Sequence, residues 1–257
     1  MQKKDILLKI YNSLYNYFGP LNWWPGATPF EIMVGAILTQ NTSWSNVEKA
    51  INNLKKENLL KPLKLYNINQ EELAQLIKPS GYYNIKAKRL KNFVTFFKEE
   101  FGGSTEKMFS GDGRELRKKL LNVNGIGLET ADSILLYAGK KPFFVVDAYT
   151  KRIFSRHKLI SEDASYQQIQ EFFSQNLDRD VKLFNEFHAQ IVMLGKTICT
   201  SRNPDCTKCP IGFLNSVEQK YRIADSKISI WRKTKSAKRK TIAQNLKFNN
   251  VLLYIEF

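Results

Sequence analysis

The chain of 257 residues is short of acid, short of cysteine and free of long apolar runs. Only 24 aspartates and glutamates stand against 40 lysines and arginines, a formal net charge of +16. Such an excess points to a polyanionic partner, although a solvated basic face gives the same composition. No apolar stretch approaches the roughly 18 residues that a membrane-crossing helix needs. The first residues carry tyrosines, asparagines and the early acid Asp5, with no small-residue cleavage site. They read as an amphipathic helix with Ile6, Leu7, Ile10 and Leu14 inward rather than as a signal peptide, so a cytoplasmic location is expected. The three cysteines, Cys199, Cys206 and Cys209, lie within eleven positions. That clustering argues against scattered disulfides and for a metal site or its remnant. Strand patterns are also scarce: Phe143–Val146 is too short to build a sheet, and Val251–Phe257 stands isolated.

What remains is helix, and the expected fold class is all-α. Thr28-Pro29-Phe30-Glu31 is a capping box with proline at the first helical position, opening a helix over Phe30–Leu38. Ser43 caps a second helix to about Glu57, with Val47, Ile51 and Leu54 inward. Asn69 with Glu72 starts another, ended by Lys78-Pro79. A long basic amphipathic helix runs from Tyr82 to Phe101 and ends at Gly102-Gly103. Further helices are expected over Arg114–Leu121, Ala148–Arg156, Ala164–Gln175 and Val181–Ile198. From about Ser216 amphipathic order is lost and basic residues gather, which reads as a disordered tail over 216–257 that could add nonspecific affinity for a polyanion.

The stretch Leu121–Asp147 is the most pointed in the chain. Gly125-Ile126-Gly127 makes a tight turn, and Ala131, Ile134, Leu135 and Ala138 then follow at helical spacing. Two glycines allow close backbone approach, and the helix start beyond them offers free N–H groups to a phosphate. The apolar run Phe143–Val146 then ends on a single carboxylate, Asp147. A phosphate-gripping turn and a sheltered acid at a fixed separation suggest chemistry on a nucleic acid.

Four features in this order resemble the helix-hairpin-helix DNA glycosylases of the endonuclease III superfamily. They are Leu38-Thr39-Gln40-Asn41-Thr42, Gly81-Tyr82-Tyr83-Asn84-Ile85-Lys86-Ala87, Gly125-Ile126-Gly127 with Val146-Asp147 beyond it, and the cysteine cluster. The resemblance covers roughly 18–214. It implies two helical domains with a DNA-binding cleft between them: a bundle over 25–140, and a second domain in which the N-terminal helix (1–24) joins 141–215. The implied partner is double-stranded DNA with a damaged base, bound by a monomer. Gly125 and Gly127 would hold phosphates through their N–H groups without reading sequence. Lys86, Lys88 and Arg89 would contact phosphates on the other side. Gln40 resembles the residue that fills the gap left by an extruded base, unless it merely caps its helix. Asp147 would stabilise the cation-like sugar and orient water, while also capping the helix Ala148–Arg156.

Glu129 stands where strand-cutting members of the family carry the lysine that forms a Schiff base. A carboxylate cannot replace an amine, so the expected enzyme is monofunctional, releasing a base with water. The set Trp23-Trp24-Pro25, Trp44 and Gly-Ile-Gly-x-Glu-x-Ala-Asp is similar to the bacterial 3-methyladenine DNA glycosylase III type. This implies a base pocket of Trp23, Trp24, Pro25 and Trp44, in which an electron-poor base stacks between Trp24 and Trp44 for about 1–3 kcal/mol. That branch has a lysine shortly after Phe-His; here Phe187-His188 is followed by Ala189-Gln190, so its role is not carried over. His188 reads as satisfying a buried hydrogen bond. Cys199-x6-Cys206-x2-Cys209 keeps the superfamily's iron–sulfur spacing, but Asn215 occupies the fourth position, and four thiolates are the norm for a 4Fe-4S cluster. A cluster with another fourth ligand, a three-iron or zinc site, and a decayed site all remain open; if bound, the group would hold a basic loop near Lys208. The expected function is removal of alkylated purines. The alternatives are an endonuclease III-like glycosylase for oxidised pyrimidines, with or without strand cleavage, and a non-catalytic damage-sensing module.

Overall fold

The computed structural model describes residues 2–24 and 26–214, in two compact units, Met1–Cys209 and Pro210–Phe257. The first unit holds the helices that build the site. Pro25, Asn215, the tail 216–257 and the segment Val251–Phe257 lie outside the described residues.

Among the described residues every regular element is helical. The helices are α1 (Lys3–Phe18), α2 (Pro29–Leu38), α3 (Trp44–Lys56), α4 (Pro62–Asn67), α5 (Gln70–Leu76), α6 (Tyr83–Phe101), α7 (Thr105–Ser110), α8 (Gly113–Leu121), α9 (Leu128–Ser133), α10 (Ala148–Arg156), α11 (Tyr166–Asn176) and α12 (Val181–Thr197). Local chemistry explains the boundaries. Thr28 Oγ1 accepts from Glu31 N at 3.2 Å at the start of α2, but Glu31 turns its carboxylate to Lys55 at 2.6 Å, so only half of the expected capping box forms. α11 begins at Tyr166 because Ser165 and Gln168 form the reciprocal box there. The short helices α4, which starts on Pro62, and α7, capped by Ser104, are too brief to show a period in sequence.

The helices form two groups. In the first, α2, α4, α5 and α7 pack on α6, whose Phe93 and Phe97 rings lie 5.9 Å apart at 6°, with Phe30 from α2 against Phe97. In the second, α1 packs on α11 and α12, and α10 on α12. Gly195 permits the last of these approaches, since a Cβ there would sit 2.4 Å from a ring carbon of Tyr149. Phe144 stacks on Phe173 at 3.8 Å, surrounded by Phe184 and Phe187. The helix after the glycine turn changes character at Ile134–Ala138, a π-helical turn whose five residues are all buried. This turn touches both α2 and α12 and so joins the two groups. Single π turns of this kind are frequent at functional sites. No helix among the described residues is long and apolar enough to cross a membrane.

Candidate active site

A cleft of about 1250 Å³ runs along this junction. Its lining brings together Trp23, Trp24, Gln40, Trp44, Arg89, Gly125, Gly127, Glu129, Asp147 and His188 from segments far apart in the chain.

The glycine turn forms one wall, and its two glycines differ. Gly125 has φ +100°, and a Cβ there would lie 2.3 Å from Arg89 Cγ, so both the backbone and the packing require glycine. Gly127 has φ −92° and open space where a side chain would project. Only the second leaves room for a ligand. Gln40 is no helix cap. Its Nε2 donates to Gly125 O at 3.0 Å and Thr130 Oγ1 at 2.9 Å, and its Oε1 accepts from Arg89. Asn92 Nδ2 also donates to Asn124 O at 3.0 Å, so the turn is braced from α6 and from the end of α2.

Lys86 corrects an expectation. It is 1% exposed, and its Nζ donates to Leu38 O at 2.8 Å and Ser80 O at 2.6 Å. Burial, then the charge of Arg89, lowers its ammonium to about 8, which still leaves it charged near neutrality. It ties two loops together and cannot reach a phosphate. Lys88 remains exposed, and Tyr82 and Ile85 leave large apolar side chains in solvent on the same turn.

Asp147 ends the run Phe143–Val146 and is the N-cap of α10. Its Oδ1 accepts from Thr150 N at 2.7 Å and Thr150 Oγ1 at 2.8 Å. Its Oδ2 lies 3.6 Å from His188 Nε2, too far for a hydrogen bond but close enough for a strong electrostatic contact in a shielded place. Burial pushes the carboxyl up; His188 and the Thr150 donors push it down further, so the balance leaves it below the ordinary aspartate value and ionised. Tyr137, on the π turn, places its hydroxyl 2.6 Å from His188 Nδ1. Burial, then the charges of Asp147 and Glu129, holds that phenol well above its usual value. It therefore keeps its proton and can donate to His188 Nδ1, while His188 Nε2 faces Asp147. His188 thus makes the buried hydrogen bond expected of it and also faces the carboxylate. Tyr137 falls outside the helical stripe of Ala131, Ile134, Leu135 and Ala138 that the sequence shows.

The tryptophans meet, but not as expected. Trp24 and Trp44 are in edge-to-face contact, 5.1 Å between ring centres at 82°, and Trp24 also lies 4.8 Å from Tyr137. No parallel slot separates them, so a base cannot stack between the two rings as they stand. Trp23 packs edge-to-face on Trp24.

A second buried carboxylate, Asp132, sits behind the site at 0% exposure. It accepts from Arg117 Nε at 2.6 Å and Nη2 at 2.9 Å, Tyr166 OH at 2.8 Å and Gln170 Nε2 at 2.8 Å. Gln170 Nε2 also donates to Phe144 O at 2.7 Å, and Val146 N donates to Tyr166 OH at 3.4 Å. The network therefore anchors the backbone that delivers Asp147.

Cys199 is buried with its Sγ accepting from Arg156 at 3.3 Å, while Cys206 is exposed. Among the described residues no group of three histidines, cysteines, aspartates or glutamates is placed to hold a metal. Arginines hold this loop instead: Arg152 donates to Cys199 O and Gly195 O, and Arg156 to Thr200 O and Ser201 O. The donor set does not fit a four-thiolate cluster.

The family model described as "HhH-GPD superfamily base excision DNA repair protein" matches residues 34–179. The chain belongs to this superfamily. A protein of Methanocaldococcus jannaschii, named only provisionally as a DNA repair glycosylase, is 52% identical over 81% of this chain and 95% of its own length. Endonuclease III of Thermotoga maritima is 30% identical over 76% of this chain and 84% of its own. The structure of H. pylori 3-methyladenine DNA glycosylase bound to 1,N6-ethenoadenine superposes with a TM-score of 0.66 and 31% identity, covering 76% of this chain and 98% of that one. The fold is the two-domain helical fold of HhH-GPD glycosylases. The protein is accordingly a DNA glycosylase of base excision repair, acting on DNA.

Proposed function

We propose that this HhH-GPD glycosylase is monofunctional and releases alkylated purines such as 3-methyladenine, leaving an abasic site. The observation that carries this reading is the pairing of an ionised, largely buried Asp147 with a carboxylate, Glu129, at the hairpin position where strand cleavage requires an amine. The cleft has one lysine among its described lining residues, Lys196, and it belongs to the last turn of α12 rather than to the hairpin. An N-alkylated purine is cationic and already primed to leave, so Asp147 need only stabilise the sugar cation and orient water. Such a base is drawn to Trp24 and Trp44, which line the cleft and whose aromatic faces attract positive charge.

The gripping residues give a clean contrast. Lys88→Ala should lower the slope of log affinity against log salt for duplex DNA by about 0.9, one phosphate contact. Lys86→Met should leave the slope unchanged and lower stability, because it strands two backbone carbonyls at about 1–3 kcal/mol each. Salt titrations of DNA binding with parallel melting curves check both.

An endonuclease III-like action on oxidised pyrimidines is the second reading, favoured by the similarity to the Thermotoga enzyme. Chromatography of the bases released from alkylated and from oxidised duplex DNA separates the two. Methylated purines in the first case support the proposal; oxidised pyrimidines alone support the alternative.

A further inference from the structure

Glu129 is more than the residue that excludes strand cleavage. It lies in the first turn of α9, two residues past Gly127, and lines the same cleft as Asp147, His188 and Tyr166. Among the described residues no lysine or arginine pairs with it, although the chain carries a large basic excess. The arginines that line the cleft are engaged elsewhere, Arg89 with Gln40 and Arg152 with backbone carbonyls. The groups that act on Glu129 are Asp147 at the head of α10 and His188 on α12; Tyr137 and Tyr166 feel its charge in turn.

We infer that Glu129 is a second catalytic residue, the proton donor to the leaving base, and that it extends the enzyme's reach to damaged bases that are uncharged. This rests on the glycosylase reading above and deepens it. Two carboxyls in one cleft then divide the work, as in glycoside hydrolysis. The Glu129 carboxyl gives its proton to a ring nitrogen of the base as the C1′–N bond breaks, its electron pair leaving with the base. Water adds to C1′ and loses its proton to the Asp147 carboxylate, which releases it to solvent, and Glu129 regains a proton from solvent. Glu129 is open to water in the cleft, yet crowded by its walls. That crowding, then the charge of Asp147, raises its carboxyl to about 7, against the partial opposition of His188. It is thus protonated below about 7 and loses the proton above.

The test compares two probes in duplex DNA under single-turnover conditions, cationic 7-methylguanine and neutral 1,N6-ethenoadenine, with wild type and Glu129→Gln. The ratio of neutral-base to cationic-base release should fall about 100-fold or more in the variant, a general acid's usual contribution. In wild type, neutral-base release should drop about tenfold per pH unit above 7, and that limb should vanish in the variant. An unchanged ratio, an equal loss on both probes, or a pH limb that survives the substitution would overturn the inference. Wild type that releases neither probe would instead defeat the alkylated-purine reading proposed above, a separate result.

Discussion

Replacing Asp147 with asparagine should slow base release about 100- to 1000-fold, the usual loss when one preorganised charge is removed from a developing transition state. The fold should survive, because an asparagine oxygen can still accept from Thr150 N and Thr150 Oγ1 and asparagine caps helices as well as aspartate does. What is lost is the charge facing His188 Nε2 and the sugar. Binding of undamaged duplex should change little, so the effect belongs in kcat. The pH dependence contributed by Asp147 follows from its lowered carboxyl: it is ionised through the neutral range, and its share of the activity should be lost as the pH drops through its depressed folded value. The stabilisation that Asp147 contributes is lost over the same descent.

The second large effect is on stability. Asp132→Ala should lower it by about 3–5 kcal/mol, since it removes the common acceptor of Arg117, Tyr166 and Gln170 and leaves a guanidinium at 18% side-chain exposure without its partner. For a folded unit of this size that is a drop of roughly 10 °C in Tm, read by calorimetry. A milder variant, Asp132→Asn, keeps the size and part of the acceptance. If it still folds, its base release should fall more than its unfolded fraction explains, because Gln170 and Tyr166 also hold Phe144 O and Val146 N, the backbone leading to Asp147.

Local signals in the sequence explain much of this molecule. Caps at Thr28 and Asn69, the proline that opens α2 and the glycine pair after Phe101 place several helices without tertiary information. The glycine turn and Asp147 stand out because each combines an unusual residue with a nearby helix start. The helical period decides Lys86, whose charge alone suggests a phosphate contact: with Leu90, Phe93 and Phe97 it lies on the buried face of α6, while Lys88 does not. The Tyr137–His188–Asp147 chain joins a π turn, α12 and the head of α10, and nothing local in those segments announces it. The Trp24–Trp44 contact depends on how a loop folds over α2, which no periodicity encodes. Cysteine spacing is the opposite case: the register is kept, yet among the described residues no group of three histidines, cysteines, aspartates or glutamates is placed to hold a metal.

The most direct test of the proposed chemistry is a single-turnover reaction on duplex DNA carrying a methylated purine, run with and without borohydride. Wild type should liberate the free base and leave an uncut strand with an alkali-labile site, with no trapped covalent adduct, and Asp147→Asn should slow that release at least about 100-fold. Undiminished release by the variant, or a borohydride-trapped adduct with wild type, would contradict it.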